Sequence, residues 1–218
     1  FFRIAQILKE TKPKAFLLEN VKNLKGHDKG RTFKIIKETL EDLGYSIKTE
    51  ILNSMIHGAM PQNRERIFIV GFLDKDKANK FEFPKEINLD KSFKNFLEKQ
   101  PSGKYFYNGK PLHSRIKEQI TSEDTVYQWR RKYVRENKKG VVPTLTANMG
   151  RGGHNVPIIK QGDKIRKLTP KECFNIQGFP KDFKLPPELS DSELYHQAGN
   201  SVTVPVVKRI AEEIKKVL

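Results

Sequence analysis

Lys14-Ala15-Phe16-Leu17-Leu18-Glu19-Asn20-Val21 joins a short unbroken apolar run to a carboxylate. A run of this length without polar alternation predicts a strand buried on both faces, hence a parallel strand of an α/β sheet. Glu19 stands at its C-terminal end, where open α/β sheets place their chemistry. Before this strand, Phe1, Ile4 and Leu8 recur at helical spacing up to Lys12-Pro13, where proline stops the helix. The chain opens on Phe1-Phe2-Arg3-Ile4, without methionine and already inside that pattern, so it reads as a piece of something longer. After the strand comes the loop Lys25-Gly26-His27-Asp28-Lys29-Gly30. Phe33, Ile36, Leu40 and Leu43 then mark a helix closed by Gly44. Tyr45 to Leu52 can form a strand, and Arg66 to Leu73 is the strongest strand in the sequence. Helix, strand, helix, strand, strand is half of a doubly wound sheet.

The 218 residues suffice for one large domain or two modest ones with a real core. With 42 basic and 26 acidic side chains the net charge is +16, which calls for a polyanionic partner. A transmembrane helix needs about 18 to 20 apolar residues, and the longest apolar run, Ile67 to Leu73, is far shorter. DNA or RNA is therefore the expected partner rather than a membrane. A single cysteine, Cys173, excludes an internal disulfide, and a reducing cytoplasm is the expected compartment.

Composition changes near Asp74 into a lysine-rich stretch with scattered phenylalanines. Tyr127, Trp129, Arg130, Arg131, Tyr133 and Arg135 then interleave aromatic rings with guanidinium groups. A loop of small and polar residues follows, from Pro143 to Asn155. Between Thr121 and Lys167, 11 basic residues face 4 acidic ones, so this region carries +7 of the total charge. The reading divides the chain into 1–80, an irregular basic module at 81–164, and 165–218, which ends in a helix from Ser201 with Val202, Val206, Ile210 and Ile214 along one face.

Four blocks occur in order: Glu19-Asn20-Val21; Gln62-Asn63-Arg64-Glu65-Arg66; Arg166-Lys167-Leu168-Thr169-Pro170-Lys171-Glu172-Cys173 with Gln177-Gly178-Phe179-Pro180; and Gln197-Ala198-Gly199-Asn200-Ser201-Val202. Together they resemble the C-terminal half of the bacterial cytosine-5 DNA methyltransferases. The fold implied is α/β: part of a Rossmann-like sheet of the S-adenosylmethionine-dependent methyltransferases at 1–80, a small irregular target-recognition domain at 81–164, and a hinge and return helix at 165–218. The activity implied is methylation of cytosine in double-stranded DNA at a specific short site, in a restriction-modification setting. The rival reading is a catalytically inactive DNA-binding module.

In that family a cysteine thiolate adds to carbon 6 of a cytosine flipped out of the stack, and carbon 5 then takes the methyl group of S-adenosylmethionine. A protonated carboxyl at the ring nitrogen and a guanidinium at the ring carbonyl stabilise the negative charge that develops. By resemblance Glu19 is the first and Arg66 the second, with Arg64 supporting the site. Arg64 and Arg66 straddle Glu65, so as a strand begins they are expected on one face. Asn200, Ser201 and Val202 fall where the family holds the amino-acid end of the cofactor, and Asn200 and Ser201 also suit a cap of the last helix. The family's nucleophile belongs to a Pro-Cys loop, and most cofactor contacts to a Gly-rich turn. Both are absent from these residues, so a missing N-terminal half, in the same chain or a separate subunit, is an expected partner.

Cys173 sits at helical spacing from Ile176 and reads as a buried structural thiol rather than the nucleophile. His154 has no second ligand at metal spacing and reads as a loop contact, so no metal is expected. Arg130, Arg131 and Arg135 are candidates for phosphate contacts, and Thr144, Thr146, Asn148 and Arg151 for the recognition loop, with Arg151 a natural bidentate partner for guanine.

Overall fold

The computed structural model describes residues 1–137, 140–151 and 156–218. In chain order the first elements are α1 (Phe2–Thr11), β1 (Ala15–Val21), α2 (Arg31–Asp42), β2 (Ser46–Asn53), α3 (Ser54–Gly58), β3 (Gln62–Asn63), β4 (Glu65–Phe72) and α4 (Lys75–Lys80). Next come α5 (His113–Ile116), β5 (Val126–Trp129), β6 (Val134–Asn137), β7 (Val142–Pro143), β8 (Ile158–Gln161) and β9 (Lys164–Lys167). The chain closes with α6 (Pro170–Ile176), α7 (Asp191–Asn200) and α8 (Val204–Val217). These elements form two compact units, one of residues 1–53, 65–86 and 206–218, the other of 54–64 and 87–205.

The first unit is built on a three-stranded sheet in the order β1-β4-β2. Alternation along β1 and β4 sends side chains to two apolar clusters, one on each face. Phe16, Ile67 and Ile69 pack with Leu8, Ile36, Leu40 and Tyr45. Leu52, Phe68, Val70 and Phe72 pack with Ala78, Phe81, Val206 and Ile210. Gly71 stands opposite Phe16, where a Cβ would fall 2.3 Å from the ring, so the bare backbone makes room for the aromatic side chain.

Four expectations are corrected in this unit. The two pairings are antiparallel rather than parallel, since β4 lies between β1 and β2 and runs against both, while β1 and β2, joined through α2, run the same way. Residues 54–64 bring the chain back without a crossover, and reversed direction follows. Secondly, β4 is the strand buried from Ile67 to Phe72, whereas β1 lies at the edge of the three-stranded sheet, with Leu17 and Leu18 half-buried and Asn20 and Val21 exposed. Finally, α1 buries Ala5 and Leu8 while Phe1, Phe2, Ile4 and Ile7 are exposed, so its inner face is not the Phe1-Ile4-Leu8 stripe. At the other end α8 does bury Val206 and Ile210, but it begins at Val204 rather than Ser201.

The second unit carries a four-stranded antiparallel sheet in the order β6-β5-β8-β9 and a short parallel pair, β3 with β7. Ile116, Ile120, Tyr127, Ile158 and Ile165 pack with that sheet. A larger core joins Phe93, Val142, Leu145, Met149, Leu168, Cys173, Phe174, Ile176, Tyr195 and Ala198. Because this core draws on residues after 164, the stretch 165–205 clusters with the irregular module, as does 54–64. Helix α6 starts on a capping box: Thr169 accepts from the Glu172 backbone, the Glu172 carboxylate accepts from the Thr169 backbone, and Pro170 fills the first turn. Glu172 also receives both ends of the Arg166 guanidinium at 2.8 Å, and both side chains are fully buried.

Candidate active site and nucleic-acid interface

Glu19 and Arg66 meet in the first unit. Opposite Glu19 in the ladder is Phe68, so Arg66, two residues away on β4, is its diagonal neighbour on the same face. The Arg66 Nε lies 2.9 Å from the Glu19 carboxylate, and Arg66 NH1 donates to the Glu65 carbonyl. Both side chains are only partly shielded, at 26% and 16% exposure for Glu19 and Arg66. Burial lowers the Arg66 pKa from its usual range, while the charge and hydrogen bond of Glu19 act against that shift. Among the described residues no group bonds Glu19 Oε2 or Arg66 NH2, so a carboxylate oxygen and a guanidinium nitrogen remain for a ligand. Asn20 turns inward on its own backbone and accepts from the Val21 amide.

Arg64 does not share this arrangement. The strand is interrupted between β3 and β4 at Arg64, so the alternation rule that places it beside Arg66 does not apply. Arg64 belongs to the second unit and is 2% exposed. Its NH1 donates to the Leu145 carbonyl at 2.7 Å, and its NH2 to the carbonyls of Gly199 and Ser201 at 3.2 and 2.7 Å. A fork of donors on three carbonyls ties the loop after β7 to the turn after α7. Gln62 adds to the brace by accepting from the Leu145 amide and donating to the Gln177 side chain, which in turn donates to Ala198. As neutral polar residues in short motifs, Gln62 and Gln177 carried no sequence signal of this role.

Asn200 is the last residue of α7 and Ser201 its C-cap, so the two end the preceding helix rather than cap the last one. Ser201 donates its hydroxyl to Ala198. Asn200 is exposed, and Ser201 and Val202 are half-buried. His196, one turn before Asn200, was not singled out by the sequence reading; its Nδ1 lies 2.6 Å from the Ala147 carbonyl and its Nε2 3.1 Å from Asn200 Nδ2.

The basic candidates lie on the surface of the second unit. β5 and β6 form an antiparallel hairpin whose connection, Arg130-Arg131-Lys132-Tyr133, is exposed, with Arg131 in the left-handed region at φ 64°. The inward residues of the hairpin, Val126 and Tyr127, are buried, so the aromatic and cationic side chains do not form one face: Tyr127 is core, Tyr133 surface. Arg135 is exposed on β6. Thr144 is half-buried and donates to the Asn63 carbonyl, whereas Thr146, Asn148 and Arg151 are exposed. His154 lies outside the described residues.

The profile of the family described as C-5 cytosine-specific DNA methylase matches residues 1–216. The type II methyltransferase M.Bsp6I of Bacillus sp. (strain RFL6) is 54% identical over 220 residues, covering 99% of this chain and 70% of its own length. M.SsoII of Shigella sonnei is 42% identical over 217 residues, covering 98% of this chain and 56% of its own. The chain thus spans between about half and 70% of these relatives. In fold it is similar to the S. pombe Dnmt2 methyltransferase, with a TM-score of 0.71 at 16% identity over 99% of this chain and 71% of the other. The Entamoeba histolytica methyltransferase EhMeth gives 0.66 at 22% identity, over 94% of this chain and 63% of the other. With its α/β sheet, its paired carboxylate and guanidinium, and a family match over nearly every residue, this chain belongs to the C-5 cytosine-specific DNA methylases.

Proposed function

We propose that this chain polarises the target base, reads the surrounding DNA and holds one end of S-adenosylmethionine in an enzyme that methylates cytosine at a specific short site of double-stranded DNA, within a cytoplasmic restriction-modification system. The observation that carries the reading is the Glu19–Arg66 pair, which leaves Glu19 Oε2 and Arg66 NH2 without partners among the described residues. A flipped cytosine presents a ring nitrogen, an exocyclic amine and a carbonyl oxygen along one edge. Glu19, as the carboxylic acid, donates its proton toward the ring nitrogen and Arg66 donates to the carbonyl, so the negative charge building up on the ring meets two donors. Arg64, with its guanidinium on three carbonyls, holds the surrounding backbone rather than the base.

Bound S-adenosylmethionine supplies the methyl group. The turn at Asn200 suits its amino-acid end, because the exposed Asn200 carboxamide keeps its oxygen unbonded by described residues and can accept from an ammonium. Arg130, Arg131 and Arg135 hold phosphates, while Thr144, Thr146, Asn148 and Arg151 line the recognition loop. The nucleophile and the glycine-rich cofactor turn come from an N-terminal half, in the same chain or a second one.

The test joins the chain to a segment carrying a Pro-Cys loop and a glycine-rich turn, or mixes the two. Duplex DNA and cofactor with a radiolabelled methyl group are then added. Label recovered on cytosine carbon 5 supports the reading. DNA binding without transfer, in a preparation that binds cofactor, overturns it in favour of an inactive DNA-binding module.

A further inference from the structure

We propose that His196 is a positioning residue that couples the recognition loop to the cofactor turn by fixing the orientation of the Asn200 carboxamide. The inference rests on the reading above, in which Thr144 to Arg151 faces DNA and Asn200 faces the cofactor.

A backbone carbonyl oxygen can only accept. The Ala147 carbonyl lies 2.6 Å from His196 Nδ1, so that nitrogen carries the proton. In a neutral imidazole the other nitrogen is then an acceptor, and Asn200 Nδ2, 3.1 Å away, donates to it. His196 and Asn200 are one helical turn apart on α7, which brings the two side chains together on one face. With the amide nitrogen turned toward His196, Asn200 Oδ1 points away from it, and this oxygen accepts from the ammonium of the cofactor's amino-acid end. Without the imidazole, nothing among the described residues distinguishes the two ends of the carboxamide, and half of its orientations present N–H groups to a cation.

The loop end of the linkage is equally defined. Gly199 packs against the backbone of Thr146 and Ala147, and a Cβ there would fall 2.2 Å from the Thr146 carbonyl. Arg64 and Gln62 hold Leu145 from its carbonyl and its amide. Ala147 is therefore held on a backbone that has little room to shift, and the imidazole transmits the position of that backbone to Asn200. Thr146 and Asn148, which flank Ala147, are both exposed. The orientation of Asn200 is thus tied to the position of this loop through one side chain.

The experiment uses the full-length protein, or the chain complemented by its N-terminal half, with S-adenosylhomocysteine as probe. Affinity is read by calorimetry, and amide hydrogen exchange is followed across 145–149. His196→Ala should weaken binding by about tenfold, the loss of one oriented hydrogen bond. In the wild type the ligand should slow exchange in 145–149, and in His196→Ala it should not. His196→Gln should recover most of both effects, since one carboxamide can donate to Ala147 and accept from Asn200. Wild-type affinity in His196→Ala, or equal losses in the alanine and glutamine variants together with a lowered melting temperature, overturns the positioning role. A wild-type protein that binds no S-adenosylhomocysteine overturns the functional reading as well, and so separates the two failures.

Discussion

Gly199 in α7 touches the carbonyl group of Thr146 so closely that a Cβ would lie 2.2 Å from both its carbon and its oxygen. These are backbone atoms, so no rotamer change can relieve the clash. The distance between the helix and the loop after β7 is set by the absence of a side chain. Alanine is intrinsically better than glycine inside a helix by about 0.5 to 1 kcal/mol, yet overpacking a close contact costs about 1 to 3 kcal/mol. Gly199→Ala is therefore expected to lower stability in urea unfolding despite the helix propensity. A variant as stable as the wild type would show that the loop can move away freely.

Arg166 and Glu172 form the second unit's buried ion pair, and Glu172 also accepts from the Thr169 and Glu98 amides. Four donors on one carboxylate satisfy it well, but they make it indispensable once Arg166 is in place. Glu172→Gln should destabilise the protein by about 3 to 5 kcal/mol, because a guanidinium is left buried without its counter-charge. Replacing both residues with apolar side chains of similar volume should cost much less. If the single and the double variant unfold at the same denaturant concentration, the uncompensated charge is not the cause.

The residues of this pair show where the sequence is legible and where it is not. The cap of α6 is local: Thr169, Pro170 and Glu172 announce a helix start within four positions, and the structure has it there. The apolar run of β4 and the Val206-Ile210 face of α8 are likewise periodic within a few residues. Strand order is not local, and β1 resembles a central strand because its side chains do reach two apolar clusters, although it lies at the edge of the described sheet. Glu19 and Arg66 could be paired by family resemblance, but nothing in the spacing shows that they are diagonal neighbours across an antiparallel ladder. The expectation that Arg64 shares a face with Arg66 fails because a strand break at one residue cancels the alternation on which it depended. His196 carried no signal, since its partner Ala147 contributes a backbone carbonyl, which every residue has.

Cys173 is fully buried, and burial pushes its thiol well above the usual range, with the charge of Glu172 adding to the shift. An unfolded thiol ionises near about 8.5. The folded chain holds its proton longer than the unfolded one, so this contribution to stability is complete below that pH and is lost as pH rises toward the folded value. Stability should therefore fall with alkaline pH, and Cys173→Ala should flatten the slope by about one proton. The native thiol should also resist a disulfide reagent that labels it readily after unfolding. Rapid labelling of the folded protein would contradict its burial.

The hairpin tip Arg130-Arg131-Lys132 is exposed, and a flexible cation there suits a phosphate better than a base edge. Arg130→Ala, Arg131→Ala and Arg135→Ala should each weaken binding to all duplexes and reduce the salt slope by about one unit per lost contact. Arg151 is also exposed but lies in the loop proposed to read the DNA. Arg151→Ala should mainly relax discrimination between the methylated site and other sequences, by about 1 to 3 kcal/mol. The same salt slope and the same uniform loss for Arg151→Ala would make it a phosphate contact instead.

The pair at the centre of the proposed site separates binding from chemistry. Glu19→Gln preserves shape and can still accept from Arg66 through its amide oxygen, so DNA affinity and the fold should be nearly unchanged. An amide cannot exchange a proton with the ring nitrogen, and methyl transfer should fall by about two to four orders of magnitude. Arg66→Lys tests the other half. The guanidinium serves Glu19 through Nε, the Glu65 carbonyl through NH1 and keeps NH2 for a ligand. An ammonium on a flexible stem cannot cover all three directions at once. Transfer should drop by about two to three orders of magnitude, as when one oriented donor to a developing charge is removed. Single-turnover rates at saturating DNA and cofactor measure the chemical step in both variants, and a filter-binding titration measures affinity. If Glu19→Gln turns over at the wild-type rate while losing affinity, the carboxylate binds DNA and does not act on the base.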